Sequence, residues 1–335
     1  MKHSAATALP QDDASNAVGR DSRKGYLYIG IAAVFWGISA SLGRAAFTGR
    51  LLPETSGIDR VGPVVLSQAR TSFSFIAVFI ALIIRHGWRK LQIPGADLAR
   101  IGMLGLAGVA ASNYLYYLAI QKTNVATAII VQYTAPVWVL VYMIARGRER
   151  PTLSKVVSVV LAIMGIALVI GIFGHGGGLQ LNAVGVIAAL LAAFSFTYYN
   201  IAGHSILMKF DRWIVLLYTT LAASLFWAVL NPPNKIAAAH FSASVWIFLF
   251  VFAVTSVLVP FVFYFAGLQH LKPTNAIIAS CLEPVFTILI AAIALKEVVH
   301  PLQAVGILMV LGAIVVVQRP GTGDTPVQTA VGPVD

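Results

Sequence analysis

Between Tyr26 and Val317 the chain is a succession of apolar stretches, each ended by charge, proline or glycine, at about 26–47, 62–84, 98–120, 124–145, 152–172, 182–207, 212–230, 243–268, 274–295 and 301–318. A bilayer core about 30 Å thick takes roughly 20 apolar residues per spanning helix. Only helices or closed barrels satisfy their backbone there, and uninterrupted runs of this length favour helices over short alternating strands. The stretches predict an all-α integral membrane protein of ten transmembrane helices. Composition agrees: 59% of residues are apolar and 10% charged, against about 45–50% and about 25% in a soluble domain. A soluble fold is excluded, and no room remains for a separate globular domain.

The few charges are informative by position. Of 23 Lys and Arg, 16 fall in the N-terminal tail and alternate connections if the N-terminus is cytoplasmic, 6 fall on the other side, and Arg70 lies within a span. That imbalance predicts both termini in the cytoplasm. The net charge of +11 therefore belongs to membrane-flanking loops, and a nucleic-acid partner is not expected. The single cysteine, Cys281, excludes an intrachain disulfide framework. Residues 1–24 lack an apolar core and read as a disordered cytoplasmic tail, not a cleaved signal.

The halves repeat. Ala128-Ile129-Ile130, five residues, Pro136-Val137, eleven residues and Glu149 recur as Ala276-Ile277-Ile278, Pro284-Val285 and Glu297 at the same spacings, an offset of 148. Tyr117 and Ala119 match Tyr264 and Ala266 at 147. With five spans each, the halves must run through the membrane in opposite senses, an inverted repeat of the kind that binds substrate near the midplane and permits alternating access. The expected organisation is a tail over 1–25, a first repeat over 26–172, a glycine-rich linker over 173–181, a second repeat over 182–318 and a tail over 319–335.

These residues resemble a family, the EamA-type branch of the drug/metabolite transporter superfamily. The resemblance covers Tyr26 to Val317 and rests on the five-plus-five repeat, Phe35-Trp36-Gly37 in the first span, and Leu282-Glu283-Pro284-Val285 with Glu297 in the second half. The first half departs from the motif, with Ala135 where the second has Glu283. Within the branch, the many aromatics make the chain most similar to the YddG-like aromatic amino-acid exporters. The resemblance implies an inner-membrane exporter with a central cavity lined by spans 1, 3, 4, 6, 8 and 9, the other spans being peripheral scaffold.

The residues themselves name candidates. Glu283 is the one acid predicted deep in a span, and intramembrane acids are functional hypotheses by default. It shares a helical face with Ser280 and Thr287. Either it serves a substrate ammonium or a proton, or it plays a structural role, protonated and bonded to a carbonyl freed by Pro284. Aromatic and amide groups on the cavity spans could stack a flat side chain and attract an ammonium. The expected substrate-binding set is Trp36, Asn113, Tyr114, Tyr117, Gln132, Tyr133, Tyr198, Tyr199, Tyr264, Ser280 and Glu283, although Tyr and Trp also fill helix interfaces. Pro136, Pro260 and Pro284 are candidate hinges, since a mid-span proline removes a hydrogen bond and kinks its helix. Gly105 and Gly108 are expected to loosen span 3 in place of a proline. Arg70 either snorkels to the interface or faces a substrate carboxylate or Glu283. Glu149 and Glu297, just before Pro151 and Pro301, read as structural carboxylates at helix starts.

No metal-ligand spacing, His-Glu-x-x-His motif or ATP-binding loop is present in the sequence, so no cofactor, metal or catalysis is expected. The leading expectation is a carrier exporting small metabolites, first among them amino acids with aromatic or large apolar side chains, driven by the substrate gradient or a coupled ion such as the proton. Its rivals are a broad drug or polar-metabolite exporter, an importer, and a non-transporting receptor or scaffold. Ten spans suffice as a monomer, while Gly165, Gly306 and Gly312 permit close helix contacts within or between chains.

Overall fold

The computed structural model describes residues 11–47, 51, 61–172, 179, 181–238, 240–294 and 298–318. Ten long helices follow one another there: α1 (Gln11–Phe47), α2 (Pro63–His86), α3 (Gly95–Lys122), α4 (Val125–Ala145), α5 (Leu153–Val169), α6 (Ala183–Leu207), α7 (Arg212–Leu230), α8 (Ala243–His270), α9 (Pro273–Ala294) and α10 (Pro301–Val317). No strand occurs among the described residues. Eight of the helices are long and apolar enough to cross a membrane; α5 and α10, at 17 residues each, are shorter apolar helices.

Most helix starts follow local rules. Asn182 and Asp211 cap α6 and α7 through their side-chain oxygens, satisfying amides that a helix start leaves orphaned. Proline opens α2 and α10, where its missing N–H costs nothing. At α5 the expectation for Pro151 is off by two residues, because Thr152 is the N-cap and the helix begins at Leu153. Helix α1 begins at Gln11, ahead of the apolar stretch, with no proline between there and that stretch to stop the helix. The linker stretch 173–178, Glu297 and the tail 319–335 lie outside the described residues.

Two apolar cores organise the bundle. One joins α1, α2, α3, α6, α7 and α8 through Ile29, Leu82, Leu104, Leu216 and Phe265. The other joins α4, α5, α9 and α10 through Leu140, Ile166, Val285 and Val310. Apolar side chains such as Val229 and Ile293 are exposed on the outside, as a lipid-facing surface requires.

Glycines set the closest approaches. A Cβ at Gly165 would lie 2.8 Å from the carbonyl oxygen of Gly306, and one at Gly306 would lie 2.6 Å from that of Gly165. Gly165 also faces Val310, and Gly306 faces Leu168 and Val169, so one helix ascends as the other descends and α5 and α10 pack antiparallel within the chain. Gly312 has no such neighbour.

Four irregularities lie in the middle of the bundle. Helix α3 widens into π-helical turns over Leu104–Ala110, and α8 does the same over Val254–Leu258. Helix α4 breaks at Tyr133–Thr134 and α9 at Cys281. The two members of each pair are about 148 residues apart, the offset of the sequence repeat. Each of the three prolines considered as hinges stands in the first turn of a restarted segment: Pro136 in Ala135–Ala145, Pro260 in Val259–His270 and Pro284 in Leu282–Ala294. A proline in that position forfeits no helical hydrogen bond, so the interruption accommodates it and no strained kink is needed. Gly105 and Gly108 stand where α3 is irregular, as expected, and have a second role. Both lie within the widened turns of α3, and both also let the helix touch its neighbours, since a Cβ on Gly105 would collide with the Thr219 carbonyl oxygen and one on Gly108 would meet the Tyr199 Cβ at 3.1 Å.

Candidate functional site

A cavity of about 640 Å³ lies where the two cores meet; three of the irregularities border it, through Gly108 and Val109, Tyr133 and Ser256, and the fourth, at Cys281, lies two residues before the lining residue Glu283. Widened or broken helical turns expose carbonyls, and cavity side chains take some of these up. Trp36 Nε1 donates to the carbonyl of Ser256 in the α8 π-turn at 3.2 Å. Asn113 Nδ2 donates to that of Val109 in the α3 π-turn at 2.9 Å. The irregular backbone is thus tied down by the groups that line the space.

The cavity is lined by an acidic and a basic side chain, Glu283 and Arg70. Glu283, two residues past the α9 break, accepts a hydrogen bond on Oε2 from the hydroxyl of Tyr133 at the α4 break, at 3.1 Å. Thr287 Oγ1 donates to the Glu283 main-chain carbonyl at 2.9 Å. The partner of the carboxyl group is thus a tyrosine on the other half, not a carbonyl freed by Pro284. Arg70 Nη2 donates to Asn113 Oδ1 at 2.6 Å. The guanidinium therefore turns inward, and the snorkelling alternative is overturned: α2, taken above as peripheral, contributes its charge to the cavity. The end of α5 contributes too, through Val169 and Ile170.

Aromatic rings make one wall. Phe196 and Tyr199 stack at 6.0 Å between centroids, and Tyr199 lies 5.8 Å from Phe261. Phe261 meets Trp36 edge-on at 6.1 Å. Tyr116 and Tyr117 face the same space from α3. Offset and edge-on ring pairs of this kind are favourable geometries and leave ring faces available to a flat guest.

Of the eleven residues named from sequence, Trp36, Asn113, Tyr117, Gln132, Tyr133, Tyr199 and Glu283 line the cavity. Tyr114 does not; it is exposed on the outer face of α3 and packs against Phe226. Tyr198 is likewise on the exposed side of α6. Tyr264 is fully buried behind the wall, 5.3 Å from Trp36, and its hydroxyl donates to Asn200. Ser280 is buried with its hydroxyl on the Ile277 carbonyl at 2.8 Å. The break at Cys281 separates Ser280 from the face of Glu283 and Thr287, so helical spacing does not carry across it. Tyr116, Phe196, Phe252, Phe261, Ser112 and Ser256 also line the cavity and were not in that set. The signal for two of them was helical phase: Asn113, Tyr116 and Tyr117 stand at i, i+3 and i+4, as do Phe196 and Tyr199 at i and i+3, and the excluded Tyr114 and Tyr198 are out of phase.

Known proteins place this geometry in context. The chain is 22% identical over 300 residues to an uncharacterized inner membrane transporter, YicL, of Salmonella typhimurium, covering 88% of this chain and 95% of that one. It is 25% identical over 218 residues to an uncharacterized transporter of Archaeoglobus fulgidus, covering 64% and 76%. A crystal structure with 18% sequence identity superposes with a TM-score of 0.70 over 88% of this chain and 95% of that chain, a likeness of fold. The model of the EamA-like transporter family matches residues 23–171 and again 183–319. The chain therefore belongs to the EamA-like transporter family and is a multi-pass membrane transporter.

Proposed function

We propose that this transporter exports small metabolites, amino acids with aromatic or large apolar side chains first among them, by alternating access through the cavity between two inverted five-helix halves. The observation that carries the reading is the cavity itself: a space roomy enough for an amino acid, walled by aromatic rings and lined by both a carboxyl group and a guanidinium. Ten spans are reached by counting α5 and α10, whose mutual packing would shield the polar ends of two short helices. The antiparallel approach of Gly165 and Gly306 and the paired breaks in α4 and α9 support opposed halves. On this reading both termini are cytoplasmic, and the turns preceding Pro136, Pro260 and Pro284 flex as hinges, because a broken turn has fewer helical hydrogen bonds to lose.

Vesicles containing the purified protein and loaded with radiolabelled Phe, Trp, Leu or Thr test the substrate class. Exit of Phe or Trp is expected to exceed that from empty vesicles by about tenfold or more, a size of effect set by comparison with leakage and not by the fold. If none of the four leaves faster, the amino-acid reading is wrong, and acceleration by unrelated cationic or polar compounds would favour the broad-exporter alternative.

Glu283 and Tyr133 join the breaks of the two halves, which suits a carboxyl group that exchanges a proton or ligand as the halves separate. Glu283→Gln keeps the size of the side chain and removes its charge. It is expected to abolish the pH dependence of transport and lower its rate by about tenfold or more, the scale of losing a hydrogen bond to a charged group. An unchanged rate and pH profile would remove Glu283 from the mechanism.

A further inference from the structure

Arg70 is a cation in a spanning helix that forms no ion pair with a carboxylate among the described residues. Its guanidinium reaches the cavity and, among the described residues, donates one bond, to the neutral amide of Asn113. Its Nε is buried without a hydrogen-bond partner. Among the described residues no carboxylate comes within 4 Å of it, and the one carboxylate lining the cavity, Glu283, is held by Tyr133. A charge removed from water is costly unless paired. A guanidinium offers five N–H donors in a planar fork suited to a carboxylate, and one of the five is used here by Asn113.

We propose that Arg70, oriented by Asn113, is the carboxylate-binding residue of the cavity, so that the transported molecule carries a carboxylate at this end and a cationic or donor group toward Glu283 and Tyr133. This deepens the reading given above and rests on it for the transport step, although the recognition of a carboxylate stands on the geometry alone. The substrate class that satisfies both groups at once is a zwitterion with an apolar side chain against the rings of Tyr199 and Phe261. Asn113 is a positioning residue: its amide accepts from the guanidinium while its other end donates to the Val109 carbonyl, which fixes the direction in which the fork points. A helix-bound amide of this kind holds a long side chain in one rotamer and takes up one of the guanidinium's five donors.

The test compares three probes of one shape on the purified protein in lipid nanodiscs: phenylalanine, 3-phenylpropionate, which lacks the ammonium, and phenethylamine, which lacks the carboxylate. Arg70→Gln is expected to weaken phenylalanine and 3-phenylpropionate by about tenfold or more and to leave phenethylamine within about twofold. Asn113→Asp places a permanent carboxylate beside the guanidinium and should give the same pattern; if Arg70→Gln does not fold, this variant decides alone, since it supplies the missing counter-ion. Glu283→Gln is expected to show the opposite preference, losing phenethylamine. The proposal is overturned if the wild type binds neither carboxylate probe, or if the Arg70 and Asn113 variants change all three probes alike or none. Arg70-dependent binding of 3-phenylpropionate without transport of any amino acid would leave the proposal standing and remove the amino-acid reading. Transport of phenylalanine with full affinity in both variants would do the reverse.

Discussion

Lys155→Met is expected to destabilise the protein by about 3–5 kcal/mol, the cost of leaving one member of a buried ion pair uncompensated. Lys155 Nζ lies 3.2 Å from Glu149 Oε2, and the two side chains are 5% and 0% exposed. Apart from that ammonium, neither oxygen of Glu149 has a hydrogen-bond partner among the described residues to share the burden. The pair ties the connection after α4 to the first turn of α5, so its loss should loosen the cradle in which α5 meets α10. A thermal melt of the purified protein in detergent reads the effect directly. The double variant Glu149→Gln, Lys155→Met should recover much of the loss, because it removes the stranded charge along with its partner. Equal melting of Lys155→Met and wild type would show that the pair contributes nothing.

Gly37→Leu is expected to remove both folding yield and transport. A Cβ at position 37 would lie 2.9 Å from the main-chain carbon and Cβ of Phe286 and from the main-chain nitrogen of Thr287, so the obstacle is backbone that cannot rotate away. Overpacking of this kind costs about 1–3 kcal/mol or more, and close helix contact is the main source of association energy in a membrane. The same contact aligns the site, because α1 carries Trp36 next to the glycine and α9 carries Glu283 four residues before Thr287. Gly37→Ala should show a smaller fall in melting temperature and a partial fall in transport rate. Gly312→Ala, where nothing lies within 4 Å, serves as the control and should melt at or above the wild-type temperature, since alanine gains about 0.5–1 kcal/mol over glycine in a helix. If the two alanine variants melt alike, the close approach of α1 and α9 is not what Gly37 provides.

The positions of the helices were legible because lipid imposes a length and a polarity on every span. Predicted and observed boundaries of α2, α4, α6 and α7 agree within two residues, since each is bounded by a charged, glycine or proline residue that cannot continue an apolar helix cheaply. The site was partly legible. Trp36, Asn113 and Glu283 stood out as polar or amphipathic groups in apolar surroundings, and that rarity does not depend on the fold. Residue type alone points to Tyr114 and Tyr198, whereas strict helical phase from Asn113 and Tyr199 points to Tyr116 and Phe196. Ser280 was placed by a phase that the break at Cys281 resets, and nothing in the residue types around Cys281 announces that break.

Arg70 shows the limit most clearly. From sequence, an arginine two turns into a span has two low-energy outlets, water at the interface or a partner within the bundle, and the choice depends on which neighbour faces it. That neighbour is Asn113, 43 residues away. By itself the sequence determines the number of apolar segments, the matched pairs such as Pro136 and Pro284, and the scarcity that makes a buried charge conspicuous, because these follow from the cost of placing polar groups in hydrocarbon. Only the tertiary structure decides which groups share the cavity, where α3 and α8 widen, and that Tyr133 reaches Glu283 across the two halves. Those facts arise from helix rotation and contact between distant segments, which local hydrophobicity leaves free.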